Sequence, residues 1–376
     1  MRASTIAYSN GEWTGAGDDS AGLVLWVGAP KVAADPAVFA ALKRRYPQAL
    51  IAGCSTNGEI LDGDTLDGGA VAAALSFDKV RLRAVERPLA GADPGEVGRD
   101  LVGQLAGEDL KAVCLLIAAS LHPGPFAAPL VLAGAAAALP PGVTIFGGGA
   151  GDGTQLDTPA AGLDRAGRAD HAVAIGFYGS ALQVGFGVGT GWDPLGPVRR
   201  VTRSQGPVIY EFDGQPALDL YLRYMGVEAD QFRTTTARFP FTFWTEDGGE
   251  DMVRPVGRID EAGRGLVVIQ DIPVGASAQM MHCAFDRLID AGAAAARGAV
   301  QAAGTGAGFA FVTSCLGRRA AMGQYIADES YALAEELGGL PMIGFYGYGE
   351  YGQHKRTGRA VIHTDSVAVT VLGEAA

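Results

Sequence analysis

The sequence repeats one pattern three times: an apolar strand, a helix, and a second strand that ends in a glycine-rich corner. The corners read GCSTNGE at residues 53–59, GGGAGDG at 147–153 and GFYGYGE at 344–350. Each corner is followed by another apolar strand. Because alternating strands and helices are typical of α/β domains, we predict an α/β fold of repeated strand–helix–strand units, with mixed sheets and internal pseudo-repeats.

The first and third corners align residue for residue. Gly53 aligns with Gly344, Gly58 with Gly349 and Glu59 with Glu350, whereas the middle corner carries Asp152 in place of the glutamate. Glycine occurs 56 times in 376 residues, roughly twice the usual share of about 7%. Since it clusters at these corners, we expect backbone there that bends sharply or approaches a neighbour closely.

The second half of the chain departs from this pattern. The segment from Val184 to Arg203 is glycine-rich and reads as extended strand and turn, and we place a domain boundary after it, giving domains at 1–220 and 221–376. The alanine-rich stretch from Ala278 to Ala303 predicts one long helix. Its buried stripe would contain Met281 and Leu288.

Composition limits the partners and the location of the protein. The net charge of −12 argues against nucleic acid or an anionic membrane surface as the main partner. No apolar stretch is long enough to span a bilayer, and the first residues do not resemble a signal peptide. The four cysteines, Cys54, Cys114, Cys283 and Cys315, form no CxxC pair, so we expect free thiols and a cytoplasmic location.

The corners are the best candidates for a ligand site. Successive backbone N–H groups at Gly148 and Gly149, or at the other corners, can bind an anion. Ser55 and Thr56 would add hydroxyl donors, and carboxylates such as Glu59 would suit an ammonium group. The alternative is that the glycines only permit tight strand exits and that the acids cap neighbouring backbone.

Cys315 and Arg318 form a C-x-x-R sequence at the end of an apolar strand. Arg318 is a candidate for binding a ligand carboxylate, and a nearby arginine can also activate a thiol. Cys54, inside the first corner, is a second candidate ligand contact. The alternative for both cysteines is burial in a small apolar space.

Aromatic residues lie among the corners, notably Tyr346 and Tyr348 in the third. They would either wall a pocket or fill the core. No nucleophile elbow, phosphate-binding loop or HExxH sequence is present, so an enzyme is the less favoured interpretation and no catalytic residue is assigned. Of the five histidines, His282 beside Met281 is the best candidate for an axial haem ligand, although a lone histidine is usually structural. No cofactor or metal is expected otherwise.

Several motifs resemble the FIST family of bacterial sensory domains. IAGCSTNGEI, FGGGAGDG and VIYEFDGQPALDLYL are similar to its N-terminal module, and FVTSCLGRR with PMIGFYGYGEYG is similar to its C-terminal module. The resemblance extends from about Gly22 to about Val371 and implies two packed FIST modules.

The resemblance also implies a function. It indicates a sensory protein that binds a small ligand, such as an amino acid or another small carboxylate, in a pocket of the glycine corners. We expect signal output through a separate partner such as a histidine kinase, because no kinase, cyclase or chemoreceptor segment accompanies the modules. The alternatives are a haem-binding nitric-oxide sensor, which some family members are, and an enzyme with Cys315 or Cys54 as nucleophile.

Overall fold

The computed structural model describes residues 1–18, 20–120, 126–153, 158–226, 236–245 and 252–375. The helices of these residues are α1 Pro30–Ala33, α2 Pro36–Arg45, α3 Pro94–Leu105, α4 Ala128–Ala138, α5 Ala217–Met225, α6 Phe285–Ala303, α7 Leu316–Met322 and α8 Ile326–Leu337. Local sequence sets several helix ends. Asp35 accepts a hydrogen bond from the backbone N–H of Ala37 before Pro36 begins α2, and Gly338 ends α8 in the left-handed conformation.

The strands fall in two groups along the chain. The first group is β1 Arg2–Ser9, β2 Glu12–Thr14, β3 Leu23–Gly28, β4 Leu50–Ser55, β5 Glu59–Leu61, β6 Asp64–Leu66, β7 Ala70–Ser76, β8 Arg81–Pro88, β9 Leu110–Ala118, β10 Thr144–Gly149, β11 Ala160–Leu163, β12 Arg168–Ala169 and β13 His171–Tyr178. The second is β14 Leu182–Gly189, β15 Trp192–Gln205, β16 Val208–Phe212, β17 Gln215–Pro216, β18 Phe241–Trp244, β19 Met252–Arg254, β20 Arg258–Asp260, β21 Gly265–Val267, β22 Ser277–Cys283, β23 Ala307–Cys315, β24 Met342–Gly347, β25 Glu350–Gln353, β26 Ala360–His363 and β27 Val367–Glu374.

Three of the four sheets share one plan. Each contains a parallel pair joined through helix, namely β3 with β4, β9 with β10, and β23 with β24. The first strand of each pair also bonds an antiparallel strand, β7, β13 or β27, and a further antiparallel strand, β1, β8 or β14, lies outside that. The prediction of an α/β fold with mixed sheets and internal pseudo-repeats is therefore confirmed.

The three sheets exchange strands in a cycle. The strand that follows each glycine corner leaves its own sheet and pairs with another: β5 pairs with β24, β25 pairs with β10, and β11 pairs with β4. The inner faces of all three sheets contribute to one apolar core, which includes Val71, Cys114, Phe146, Phe311 and Phe345. This exchange brings the three corners to one place in the fold.

The fourth sheet is inserted between β14 and α6. It is antiparallel, with the order β19-β18-β22-β15-β16-β21-β20 and β17 paired to β16. The prediction of one helix over Ala278–Ala303 is wrong, because Ser277–Cys283 is the strand β22 and the helix begins at Phe285. Hydrogen bonding to β15 and β18 on both sides holds this segment as a strand despite the helix propensity of its neighbours. Among the described residues, no helix has the length and apolarity needed to cross a bilayer.

Candidate functional site

The three glycine corners contact one another directly. The first and third are joined by hydrogen bonds from Asn57 N to Tyr346 O at 2.7 Å and from Tyr346 N to Gly58 O at 2.9 Å. The second and third are joined through Gly149, whose N–H donates to Gly349 O and whose carbonyl accepts from Tyr348 N, both at 2.9 Å. The corners that the sequence singled out therefore form one structural centre.

Ser55 joins the first corner to the second. Its carbonyl accepts from Gly151 N at 2.8 Å, and its hydroxyl donates to Gly151 O at 2.5 Å while accepting from Ala160 N at 2.7 Å. The hydroxyl that the sequence offered as a ligand donor is thus used within the protein.

The first glycine of each corner is required by packing. A Cβ atom at Gly53, Gly147 or Gly344 would lie 2.1, 2.1 or 2.4 Å from a carbonyl oxygen of the adjacent parallel strand. Gly148, in register with Glu350 of β25, is also in a crowded position, because its Cβ would lie 3.0 Å from Gly349 O. These close contacts support the packing interpretation for the leading glycines.

The second glycine is required by backbone conformation. Gly58 and Gly349 have φ of +126° and +98°, a region that residues with a Cβ rarely adopt. A side chain at Gly58 would also collide with the guanidinium of Arg319, which donates to Asn57 O at 2.5 Å and to both oxygens of Asp67. Arg319 also lies over the ring of Tyr346 at 5.0 Å. This arginine therefore ties the first corner to the C-terminal part of the chain.

One residue from each corner meets at a polar junction, which consists of Asn57, Asp152 and Tyr348. The backbone N–H of Asp152 donates to Asn57 Oδ1 at 3.2 Å, and the Tyr348 hydroxyl donates to Asp152 Oδ1. Asp152 Oδ2 has no hydrogen-bond partner in the described part of the chain, although the side chain is only 1% exposed. Asn57 and Tyr348 each remain 6% exposed, so the junction lies just below the surface.

Asn57 was not among the residues predicted for the site. The available signal was its position, immediately before the second glycine of the first corner, where Tyr348 stands in the third. An amide side chain that both accepts and donates is suited to bridging two corners.

Glu59 is fully buried. Thr56 donates its hydroxyl to Glu59 Oε1 at 2.5 Å, and Thr56 Oγ1 accepts from Gly58 N at 3.2 Å. Burial raises the pKa of Glu59 to about 7, against the lowering effect of the Thr56 hydroxyl. Glu59 is therefore neutral over much of the range below pH 7, and a neutral buried acid is a poor partner for an ammonium group.

Glu350 is buried beside a second acid, Asp365. Ser366 donates its hydroxyl to Glu350 Oε2, and burial, reinforced by the charge of Asp365, raises the pKa of Glu350 well above its usual range. Burial likewise raises the pKa of Asp365 to about 7. Both corner glutamates thus resemble internal capping groups more than ligand contacts.

Arg318 has an internal partner. It is fully buried and donates from Nε to Glu329 Oε2 at 2.8 Å, with a second bond from Nη2 to the same oxygen. It also donates to Thr190 O at 2.5 Å and to Leu288 O at 2.8 Å, and Ser314 donates to Glu329 Oε1 at 3.0 Å. Arg318 is thus paired with the carboxylate of Glu329, which α8 brings against α7.

Comparison with known families adds a finding to this geometry. The family models of the FIST N domain and the FIST C domain match residues 22–215 and 217–353. The chain belongs to the FIST family. FIST modules are sensory modules that bind small ligands, so a ligand site is an expected feature of this fold.

The FIST chain is also similar, at low identity, to three solved structures. A chorismatase is 9% identical with a TM-score of 0.36, covering 99% of this chain and 98% of that one. A cyanuric acid hydrolase is 11% identical with a TM-score of 0.34, and the match covers 100% of this chain and 99% of that one. A cyanuric acid hydrolase from A. caulinodans is 12% identical with a TM-score of 0.26, and the match covers 78% of this chain and 67% of that one. Likeness at this level carries no argument about activity. No curated protein matches the chain.

Burial disfavours the thiolate form of both candidate cysteines in this FIST chain. Cys54 and Cys315 are buried, and burial raises the pKa of both thiols well above the usual range. For Cys315, the nearby acids Glu350 and Asp365 add to this rise. Since the thiolate is the nucleophile, the geometry gives no support to a cysteine-dependent enzyme.

The residues around His282 do not fit a haem. His282 lies on β22, opposite Asp193, and shares a strand face with Met280 and Ala278, which belong to the packed core of the inserted sheet. His122 lies outside the described residues. Within the ranges that the structure describes, no group of three or more His, Cys, Asp or Glu side chains is arranged to hold a metal ion.

Proposed function

We propose that this protein is a bacterial cytoplasmic sensor that binds a small amino-acid-like ligand at the junction of Asn57, Asp152 and Tyr348. The ammonium group of the ligand would contact Asp152. The signal would pass to a separate partner protein, such as a histidine kinase, and nucleic acid and membrane would take no part.

One observation carries the proposal. The Asp152 carboxylate is almost fully buried where the three corners meet, yet only one of its oxygens is hydrogen-bonded by a described residue. A buried carboxylate oxygen without a donor is costly, and an N–H group of a ligand would remove that cost. The side-chain amide of Asn57 and the hydroxyl of Tyr348 lie beside it and would supply further polar contacts that fix the orientation of the ligand.

The other candidate contacts support this choice by elimination. Ser55 and Arg318 have internal hydrogen-bond partners. Glu59 and Glu350 each also have one carboxylate oxygen without a partner among the described residues, but both are fully buried and burial raises their pKa values. Asp152 differs because it adjoins two side chains that still reach solvent. We therefore place the ligand at the junction, where Asp152 adjoins side chains that reach the surface.

Thermal unfolding with amino acids and small carboxylates tests the proposal. A ligand at about 100 times its dissociation constant should stabilise the protein by about 2.7 kcal/mol. The stabilisation should be lost in Asp152→Asn and weakened in Tyr348→Phe, which removes only the hydroxyl. Glu108→Gln, a change of an exposed acid, is the matched control and should respond like the wild type. Stabilisation by no compound, or equal stabilisation of Asp152→Asn, would contradict the proposal.

A further inference from the structure

One short turn, Thr364 to Ser366, connects β26 to β27 and contacts the inserted sheet. The Trp192 indole, at the start of β15, donates to Asp365 O at 2.6 Å, and the Thr364 hydroxyl donates to Val253 O on β19 at 2.5 Å. Asp365 has a φ of +50°, in the left-handed region that aspartate and asparagine adopt more readily than most residues. The turn thus ties β27 to two strands of the inserted sheet.

The same turn contacts the third corner. Ser366 donates its hydroxyl to Glu350 Oε2, and Ser366 O accepts a hydrogen bond from Cys315 N at 3.0 Å. Glu350 directly follows Gly349, whose carbonyl accepts the hydrogen bond from Gly149 N that joins the third corner to the second. A movement of the turn would therefore reach the centre of the fold through Glu350.

Glu350 and Asp365 form a buried acid pair at this contact. The two residues are 0% and 1% exposed, and among the described residues no hydrogen-bond partner is found for Glu350 Oε1 or for either carboxylate oxygen of Asp365. Buried carboxylate oxygens without donors are costly when the acids are ionised, and two neighbouring carboxylates also repel each other. Protonation lowers both costs. The closed fold therefore favours a pair in which at least one acid carries a proton.

Two arginines and three neutral titratable side chains interact with the pair: Arg318 on α7, Arg254 on β19, Cys315, Tyr221 and Tyr351. Burial raises the pKa of Asp365 to about 7, even though both arginines lower it. Burial also raises the pKa of Glu350 well above its usual range, and the charge of Asp365 adds to this rise, although the Ser366 hydroxyl and Arg318 oppose it. Arg318 itself forms an ion pair with Glu329. The positive charges nearby therefore do not compensate for the loss of hydration.

We propose that Glu350 and Asp365 form a pH-sensitive switch, which keeps the turn and the third corner closed while the pair is protonated and opens them when the pair ionises. Opening admits water to both carboxylates, so each can release its proton at an ordinary pKa of about 4. Because the open state binds fewer protons than the closed state, rising pH favours opening. Opening would also separate Tyr348, in the same corner, from Asp152. The switch needs no ligand at the junction.

Amide hydrogen exchange, followed by mass spectrometry at about pH 5.5, 6.5 and 7.5, tests the switch in the full chain. Each exchange rate is divided by the intrinsic rate at the same pH, which gives a protection factor. In peptides that cover 344–351 and 360–367, protection should fall about tenfold or more for each pH unit, because every opening releases at least one proton. At about pH 7.5 these peptides should also be about tenfold or more less protected than the fully buried strand β3, since they open without global unfolding.

Neutral variants show whether the pair is the cause. The double variant Glu350→Gln with Asp365→Asn should lose the fall in protection, because neither side chain can ionise. Glu59→Gln, the same change at the equivalent position of the first corner, is the matched control and should keep the fall. Four results would overturn the switch: protection that does not change with pH in the wild type, an equal fall in the double variant, loss of the fall in Glu59→Gln, or protection equal to that of β3 at every pH. Unfolding of the double variant at about pH 5.5 would overturn it as well, since amides should be tolerated there as protonated acids are.

Discussion

The burial of Glu59 predicts a specific dependence of stability on pH. In the folded protein, burial raises the pKa of Glu59 from 4.5 to about 7, whereas the unfolded chain ionises it near the ordinary value. Between these values the folded state holds a proton that the unfolded state has released. Rising pH therefore favours unfolding across this window, and the full cost is present above about pH 7.

The magnitude follows from the two pKa values. Their difference of about 2.5, at 1.36 kcal/mol for each pH unit, corresponds to about 3 kcal/mol. Glu59→Gln keeps the shape of the side chain and an acceptor for Thr56, but it cannot ionise. Relative to the wild type, the variant should therefore gain about 3 kcal/mol in unfolding free energy between about pH 4.5 and about pH 8.

Urea denaturation of both proteins at several pH values measures this gain. The other buried acids, Asp365 and Glu350, titrate in both proteins, so their contribution cancels in the difference to the extent that the sites are independent. Glu108→Gln, at an exposed position, should show no comparable gain. A difference between Glu59→Gln and the wild type that stays constant over this range would refute the assignment of Glu59 as a buried, neutral acid.

Two further predictions concern the packing of the centre. Gly147→Ala should lower the unfolding free energy by more than about 3 kcal/mol, because its Cβ would lie 2.1 Å from Leu115 O. The control Gly142→Ala, at φ +80° with no atom within 4 Å, should lower it by only about 1 kcal/mol. Equal losses in urea denaturation would exclude the collision as the cause. Glu329→Gln leaves Arg318 buried without its anion and should lower the unfolding free energy by about 3–5 kcal/mol. The control Glu336→Gln, on the same helix, removes only the partly exposed partner of Arg297 and should lower it by about 0–1 kcal/mol. Similar thermal unfolding of the two variants would contradict a structural role for the buried pair.

Much of the fold was readable from the sequence because buried strands are continuous apolar runs. The apolar run from Leu23 to Val27 is fully buried in β3, and the corner glycines Gly58 and Gly349 have the positive φ angles that make glycine necessary. The strand Ser277–Cys283 was missed because it leads directly into an alanine-rich helix with no proline or glycine between them. Its strand conformation depends on partners in β15 and β18 that local propensity does not reveal.

The site was harder to predict because it depends on contacts between distant residues. Asp152 meets Asn57 and Tyr348 across 95 and 196 positions of sequence, through a strand exchange that no local pattern encodes. Arg318 illustrates the same limit. The sequence suggested it as a ligand contact, and the structure pairs it with Glu329 of the following helix, a contact that no local pattern indicates.

A crystal structure of the protein with the amino acid or small carboxylate that most stabilises it would test the central claim most directly. The proposal predicts electron density for the ligand at the corner junction, with a ligand nitrogen in hydrogen-bonding distance of Asp152 Oδ2 and polar contacts from Asn57 or Tyr348. Density for that ligand elsewhere, with the junction side chains unchanged and Asp152 Oδ2 contacted only by water, would contradict it.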